Sequence, residues 1–284
     1  MSLAAIVRAL GGDLRAGGRR ANIPGPGHSP ADRSVSLLLA GDRVIVHSFA
    51  GDDWRAVLRD LQDRGLVNAE GRLAGGAGAP SGRSVEELSP ARGTRIAVAR
   101  DLWREGRPVA GTLAEAHCRR RGVGVGLPGA LRHHPGIASA VYRNAGVRRP
   151  ALLAAIRGPA GDLCAVELTY LAANGERARV TTPRKTVGVC PAGCAVRLAP
   201  AARRMLVGEG VFTTLSAAEV FRLPAWALLS TRNLVRWRPP PGVEAVLIAG
   251  DRGAPGERAA ASLAAALGRD GVKVEIGLAP RRFR

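Results

Sequence analysis

The pattern of apolar positions in the first quarter of the chain predicts a hairpin followed by a helix. Residues 34–39 and 43–49 are apolar and rich in β-branched side chains, and the Gly-Asp step between them is typical of a hairpin turn. Across residues 53–64 apolar positions recur at helical spacing, and Asp52 or Asp53 supplies an N-cap. One face of this helix is predicted to carry Trp54, Val57, Leu58 and Leu61. The pattern therefore favours a small ββα module.

The next segment, residues 68–93, is rich in Gly, Ala, Pro and Ser and shows no sustained periodicity, which is typical of a flexible linker. Beyond it the pattern predicts five elements, which are helices over residues 94–105 and 113–121 and strands over residues 151–156, 163–171 and 177–182. The last two strands are expected to form a hairpin, because the Asn174-Gly175 step between them favours a type I′ turn.

In the last part of the chain, strands alternate with helices. Strands are predicted over residues 205–207, 225–229, 245–248 and 272–276, and helices over residues 213–221 and 257–267. This alternation implies a parallel sheet built from crossover units. The fold class is therefore mixed α/β. Its four predicted segments are the ββα module (1–67), the flexible linker (68–93), a basic α+β region (94–200) and a parallel sheet with flanking helices (201–284).

The net charge of the chain indicates the kind of partner it binds. The chain has 42 Lys and Arg residues against 23 Asp and Glu residues, a formal net charge of +19, and only Lys185 and Lys273 are lysines. A GC-rich genome explains why Arg replaces Lys, but it does not explain the excess of basic over acidic residues. Residues 93–200 alone hold 17 basic and 6 acidic residues, a net charge of +11. We therefore expect a polyanion to bind the middle of the chain.

Five basic side chains in this region are candidates for contacts with phosphate groups, namely Arg119, Arg120, Arg121, Arg184 and Lys185. The three consecutive arginines fit a solvated helix face equally well, so the charge pattern alone leaves both interpretations open.

Other sequence features exclude several classes of protein. No run approaches the roughly 20 uncharged apolar residues that cross a bilayer. The N-terminus lacks the order of charged and apolar residues of a secretory signal, so we expect a cytoplasmic protein without a membrane partner. Four cysteines are too few for a disulfide-stapled scaffold. Cys190 and Cys194 have no second pair at ligand spacing, which predicts ordinary thiols rather than a zinc site.

Two acidic residues follow strands of the predicted parallel sheet. Glu209 comes after the strand at residues 205–207, and Asp251 comes after the strand at residues 245–248. Because the carboxyl ends of parallel strands meet at one edge of a sheet, the two side chains are expected to lie close together. In an alternative interpretation neither residue has a catalytic role. Glu209 is then an acid favoured near a helix N-terminus, and Asp251 is a turn residue.

At these residues the sequence resembles the Toprim domain of bacterial and phage-type primases, topoisomerases and related nucleases. That domain carries Glu-Gly after its first strand, as Glu209-Gly210 does here, and an Asp-x-Asp motif after a later strand. In this chain Asp251 occupies the first Asp position of that motif. Upstream motifs are similar to the primase-associated region of phage- and plasmid-borne Toprim primases: HCRRRGV (117–123), LRHHP (131–135), AVELTYLAANG (165–175) and KTVGVCPAGCAVRL (185–198). The N-terminal module resembles their CHC2-type zinc ribbon in His28, in DRSVSLLL (32–39) and in VIVHSFAGDDWRAVL (44–58).

The sequence departs from the family pattern in both metal sites. Where the zinc ribbon has cysteines, this chain has Asn22 or Ile23, Ser48 and Asp52, so we expect a relic of a zinc ribbon that binds no zinc. In the Toprim motif Gly253 replaces the second Asp, which removes one expected oxygen ligand of a divalent cation.

The resemblance implies a primase-type nucleotidyltransferase, a DNA-directed RNA polymerase that binds single-stranded DNA and NTPs and makes short RNA primers for a phage, plasmid or other mobile element. Glu209 and Asp251 would then be the catalytic residues and would hold Mg²⁺ or Mn²⁺. Two alternatives stay open, a catalytically degenerate nucleic-acid-binding accessory protein of replication and a Toprim nuclease. The sequence also leaves open whether a replicative helicase is a partner.

Overall fold

The computed structural model describes residues 1–48, 53–74, 90–123 and 126–278. The chain divides into two compact units, Met1–Pro90 and Ala91–Arg284. Three sequence predictions fall on other residues. Phe49 at the end of the first hairpin, Asp52 as a helix cap and a lost zinc ligand, and residues 75–89 of the predicted linker lie outside the described part. The division into four segments stays a prediction.

The first unit is a four-stranded antiparallel sheet with helices. Its elements in chain order are α1 (Leu3–Leu10), β1 (Asp13–Arg15), a 3₁₀ turn (Ala16–Gly18), β2 (Arg20–Ile23), β3 (Val35–Ala40), β4 (Arg43–Ser48) and α2 (Trp54–Asp63). The strands pair in the order β1-β2-β3-β4. Alternating residues of β3, such as Val35 and Leu37, are buried against Leu3 and Ile6 of α1 and Leu61 of α2. The ββα pattern predicted from sequence is therefore present, and α1, β1 and β2 extend it.

Helix α2 shows one error in the predicted core. Asp53 caps the helix, because its carboxylate accepts a hydrogen bond of 3.1 Å from the backbone N–H of Arg55. Val57 and Leu61 are buried as predicted, but Trp54 is 48% exposed and lies under the guanidinium of Arg55. Trp54 occupies the first helical turn, and its ring makes a cation–π contact at the surface instead of packing on the sheet.

The second unit contains one large mixed sheet. Its helices are α3 (Arg92–Glu105), α4 (Leu113–Arg120), α5 (Val211–Phe221), α6 (Thr231–Arg236) and α7 (Ala254–Arg269), and a 3₁₀ turn covers Val141–Arg143. Its strands are β5 (Leu131–Ala140), β6 (Ala145–Arg157), β7 (Leu163–Tyr170), β8 (Arg184–Gly188), β9 (Ala195–Arg197), β10 (Arg204–Gly208), β11 (Ala225–Ala227), β12 (Ala245–Gly250) and β13 (Lys273–Leu278). They pair in the order β13-β12-β10-β11-β9-β6-β7-β8, and β5 pairs with β6.

Strands β13, β12, β10 and β11 are parallel to one another, and β9, β6, β7, β8 and β5 continue the sheet in antiparallel pairs. Helix α5 packs its residues Val211 and Leu215 on one face of the parallel strands, whereas Leu263 and Leu267 of α7 pack on the other face. Strand–helix crossovers cover a parallel sheet in this way because both of its faces are apolar. The mixed α/β fold class is confirmed.

The second predicted hairpin is wrong in its returning strand. The turn at Asn174-Gly175 forms, but it is followed by a single isolated bridge between Leu171 and Arg177. Beyond that bridge Ala178 is buried in the core under α3, and the chain leaves the sheet. The partner of β7 is β8, which begins directly after Pro183. The apolar contact of Ala178 outweighs the local preference for a short hairpin.

Strand β5 had no clear signal in the sequence. Pro135 and Gly136 interrupt its alternation of residues, and the register with β6 shifts at this point. Among the described residues, no helix is both long and apolar enough to span a bilayer.

Candidate active site

The two acids lie at the same edge of the parallel sheet. Strands β10 and β12 are neighbours in register, with Gly208 opposite Ala249, so Glu209 and Asp251 leave the sheet side by side. Glu209 is half-buried, and its pKa is raised by burial and by the negative charge of Asp251. The structure therefore brings together the two residues that the sequence predicted as an acidic pair.

The connection between β11 and α6 is hydrogen bonded to the backbone of Glu209. The backbone N–H of Leu229 donates a hydrogen bond of 2.7 Å to the backbone carbonyl of Glu209. The backbone N–H of Thr231 donates to the Glu209 carboxylate, which opposes the rise in its pKa. Leu229 has a positive φ of 70°, a conformation that is uncommon for a residue other than glycine. The connection therefore fixes the backbone of Glu209 at the sheet edge.

A basic cavity of about 500 Å³ adjoins the acidic pair. It is lined by α4 (His117, Arg120, Arg121), by β7 and β8 (Glu167, Thr169, Arg184), by the loop between these strands (Glu176, Arg177) and by the start of α5 (residues 210–213). Gly210 in this lining follows Glu209 directly, and the positive charge of Arg184 lowers the pKa of Glu209. The cavity thus reaches the residue next to Glu209, within the second unit.

Arginines outnumber acids in the cavity. Arg120 lies 3.7 Å from Glu176, and Arg184 lies 3.9 Å from Glu167, so both pairs are loose. The guanidinium of Arg121 lies 5.2 Å from the centre of the Phe212 ring. An anionic ligand can displace such loose and partly exposed partners, because exposed ion pairs contribute little free energy.

His117 forms the inner wall of the cavity. Its Nδ1 atom lies 3.0 Å from the carbonyl oxygen of Gly175, which identifies Nδ1 as the hydrogen-bond donor. Burial lowers the pKa of His117, and the positive charges of Arg121 and Arg177 lower it further. These effects favour the neutral form of the imidazole, whose ring packs edge-on against Phe212 at 5.5 Å.

The structure separates the five predicted phosphate-contact residues. Arg120, Arg121 and Arg184 line the basic cavity. Arg119 points elsewhere and pairs with Glu115 at 2.8 Å within α4. The Nζ atom of Lys185 donates a hydrogen bond of 2.6 Å to the carbonyl of Ser139 on the other face of the sheet, where burial lowers its pKa.

Sequence reasoning missed four titratable lining residues, which are His117, Glu167, Glu176 and Arg177. His117 had a usable signal, because residues at positions i, i+3 and i+4 share a helix face and His117, Arg120 and Arg121 have this spacing. Glu167, Glu176 and Arg177 had none, since their place in the cavity depends on how β7 and its following loop meet α4.

Within the described residues, no group of three or more His, Cys, Asp or Glu side chains is arranged to hold a metal ion. At the candidate active site Gly253, the residue just before α7, has a φ of +119° and offers no carboxylate. Glu209 and Asp251 fit Mg²⁺ as an incomplete ligand pair, since Mg²⁺ is commonly held by one or two carboxylates together with water and phosphate oxygens.

In the first unit, His28 belongs to a hydrogen-bonded loop. Its Nδ1 atom lies 2.9 Å from the carboxylate of Asp32. Hydrogen bonds from the Ser34 hydroxyl and the Gly25 N–H hold the pKa of that carboxyl well below its usual range. The expectation that this module binds no zinc stays a prediction.

Comparison with protein-family models divides the second unit. Residues 93–198 match a family described as a domain of unknown function (DUF7146), and residues 204–281 match the Toprim domain. The C-terminal part of this chain is a Toprim domain. The prediction of such a domain is confirmed, and Glu209 and Asp251 lie at the ends of two of its parallel strands. Comparison with curated proteins found no match.

Several solved structures of primases are similar to this chain. The zinc-binding and RNA polymerase domains of the Aquifex aeolicus primase align over 99% of this chain and 77% of that chain, with 13% identity and a TM-score of 0.44. A DNA primase domain from Pseudomonas aeruginosa aligns over 66% and 72%, with 15% identity and a TM-score of 0.44. The primase fragment of the bacteriophage T7 primase-helicase protein aligns over 58% of this chain and 61% of that chain, with 14% identity and a TM-score of 0.38. This chain therefore spans about three fifths of that fragment. Because these scores are low, the assignment rests on the Toprim match.

Proposed function

We propose that this protein is a primase-type nucleotidyltransferase, which binds single-stranded DNA and joins ribonucleotides into short primers. One observation carries the proposal: a Toprim acidic pair, Glu209 and Asp251, adjoins a cavity lined with arginines in the same unit. Primer synthesis needs both parts, because a template and triphosphates must be bound next to the groups that assist phosphoryl transfer. We also propose that the protein acts in the cytoplasm, in the DNA replication of a phage, plasmid or other mobile element.

Each group has a separate role in this proposal. Arg120, Arg121 and Arg184 bind phosphate groups of the template or of the incoming nucleotide. Glu209 and Asp251 hold Mg²⁺ or Mn²⁺, which supplies neutralisation of the charge that develops on the transferred phosphoryl group. The N–H group of Leu229 fixes the backbone of Glu209 at the end of β10, next to the cavity-lining residue Gly210.

A second function is favoured by one specific observation. Gly253 stands where the Toprim motif has another acid, and the described residues offer no third metal-ligating side chain at this site. Such a site fits a protein that has kept nucleic-acid binding and lost catalysis. The assay below separates the two functions.

The test is a primer-synthesis assay with the full chain, single-stranded DNA, labelled NTPs and Mg²⁺ or Mn²⁺. We expect short RNA products. Glu209→Gln and Asp251→Asn keep side-chain size but remove the charge, so each is expected to reduce synthesis by at least about 10²-fold. Glu219→Gln is the matched control, because Glu219 is exposed on α5 away from the cavity, and it should leave synthesis unchanged.

The other outcomes identify the alternatives. DNA binding without any synthesis by the unmodified protein would favour the silent binding protein. Cleavage of the DNA strand that depends on Glu209 would identify a Toprim nuclease instead. Full synthesis by both acidic variants would contradict the assignment of this site.

A further inference from the structure

A pair of thiols lies in a turn next to the Toprim domain. Cys190 is exposed beyond the end of β8, and Cys194 is buried just before β9. The backbone N–H of Cys194 donates a hydrogen bond of 3.2 Å to the carbonyl of Pro191, and Gly193 reverses the chain with a φ of +77°. Their side chains flank this turn, and each thiol shifts the pKa of the other. We refer to residues 190–194 as the thiol turn.

The two thiols differ in their readiness to react. The neighbouring Cys194 thiol lowers the pKa of Cys190, and so does the positive charge of Arg95, whereas partial desolvation of the thiol and the charge of Glu167 raise it. The Cys190 thiol and burial raise the pKa of Cys194. Cys190 is therefore the accessible nucleophile. Cys194 keeps its proton and can react with an oxidised Cys190 to form a disulfide.

Asn233 of α6 fastens the thiol turn to the Toprim domain. Its side-chain oxygen accepts a hydrogen bond of 2.8 Å from the N–H of Gly193. Its side-chain nitrogen donates to the carbonyl of Cys194 at 2.7 Å and to the carbonyl of Leu228 at 2.8 Å. One amide thus joins the thiol turn to the connection between β11 and α6.

That connection is the segment that holds Glu209. Leu229, the next residue after the carbonyl bound by Asn233, donates to the backbone of Glu209, and Thr231 donates to its carboxylate. A displacement of the thiol turn therefore reaches Glu209 through one side chain and one short loop.

We propose that Cys190 and Cys194 form a redox modification site, at which a peroxide produces an intrachain disulfide that loosens the loop holding Glu209. The Cys190 thiolate attacks one peroxide oxygen, the O–O bond breaks, and Cys190 becomes a sulfenic acid while the other oxygen leaves as water after protonation. The Cys194 sulfur then displaces the sulfenic hydroxyl, which leaves as a second water with the Cys194 proton. Two thiols are oxidised by two electrons, and the peroxide is reduced. A thiol reductant reverses the reaction.

The disulfide displaces the turn because of its geometry. An S–S bond of about 2.05 Å is much shorter than any contact between two sulfur atoms that are not bonded to each other. Oxidation therefore draws Cys190 and Cys194 together and moves the N–H of Gly193 and the carbonyl of Cys194, which are the two groups that Asn233 holds.

The first test identifies the bond. The full chain is treated with hydrogen peroxide, free thiols are blocked with N-ethylmaleimide, and tryptic peptides are weighed. Cleavage after Lys185 and Arg197 leaves both cysteines in one peptide. We expect this peptide to be unlabelled and lighter by two hydrogen atoms, and labelled after treatment with dithiothreitol. Cys190→Ser and Cys194→Ser should abolish the product, and Cys118→Ser, at a buried thiol on α4, should not.

Three results would overturn the site. They are a sulfinic acid at Cys190 without a disulfide, a cross-link to the peptide that contains Cys164, and thiols that stay fully labelled after peroxide.

The second test measures the coupling without any activity assay. Hydrogen exchange of the peptide that covers residues 228–233 is compared in the reduced and oxidised full chain. We expect the amides of Leu229 and Thr231 to exchange at least about tenfold faster after oxidation. Cys194→Ser, which cannot form the disulfide, should show no change with peroxide. A disulfide that forms while this exchange stays unchanged would refute the link to Glu209, whatever the protein's activity.

Discussion

At the scale of single residues, the direction of a side chain decides its role at the site. Arg184 and Lys185 are neighbours in sequence, but successive residues of a strand point to opposite faces of the sheet. Arg184 lies opposite Thr169 of β7 and enters the cavity. Lys185 lies opposite Leu168, contacts the ring of Tyr170 and donates to Ser139. Only one of the two basic residues is therefore available to a phosphate group.

We expect this difference to appear in the salt dependence of DNA binding. Arg184→Gln removes one phosphate contact and should make the slope of log K against log salt less negative by about 0.7 for single-stranded DNA. Lys185→Gln is the matched control and should leave the slope unchanged. Fluorescence anisotropy of a labelled oligonucleotide across a salt series measures both. Equal slopes for the two variants would show that the cavity does not bind the strand.

At the scale of elements, the cavity wall depends on a close approach of β7 and β8. Gly188 at the end of β8 has a φ of +110°, and a Cβ atom there would lie 2.4 Å from the carbonyl oxygen of Cys164. No other residue fits both the backbone conformation and the distance. The ladder between β7 and β8, which carries Glu167 and Arg184 into the cavity, therefore requires glycine at this position.

Replacement of this glycine should destabilise the second unit. Gly188→Ala combines a strained φ with overpacking and is expected to cost about 1–3 kcal/mol of unfolding free energy. Gly268→Ala provides a control of opposite sign, since it lies in α7 with open space around it and should gain about 0.5–1 kcal/mol. Urea titration followed by tryptophan fluorescence compares the midpoints. A midpoint for Gly188→Ala at or above that of the unmodified chain would contradict this account.

At the scale of the whole molecule, charge is concentrated where the cavity lies. The formal net charge is +19, of which +11 belongs to residues 93–200, and four arginines from this region line the cavity next to Glu209. When a positive surface of this kind binds a polyanion, counterions are released, so the affinity is highest at low salt.

We therefore expect the affinity for single-stranded DNA to fall at least about tenfold between 50 and 200 mM monovalent salt, provided that several phosphates are engaged. A filter-binding or anisotropy titration of the full chain with an oligonucleotide checks this at fixed pH. An affinity that is constant over this range would remove the electrostatic basis for the nucleic-acid partner.

The sequence by itself determined the main elements of this protein and the position of its acidic pair. Periodicity located the hairpin and α2 in the first unit and the alternating strands and helices of the Toprim domain, because apolar spacing within an element is a local property. Glu209 and Asp251 were predicted to meet, because adjacent parallel strands end at one edge of the sheet. Composition indicated the sign of the partner's charge.

Only the tertiary structure decided how distant segments meet. It paired β7 with a strand beyond Pro183 instead of the segment after Gly175, separated Arg184 from Lys185, and joined His117, Arg177 and Arg184 in one cavity. It also placed Asn233 between the thiol turn and the loop that holds Glu209. None of these contacts has a local signal, because each depends on packing free energy between residues far apart in the chain, and that energy overrides local turn and charge patterns.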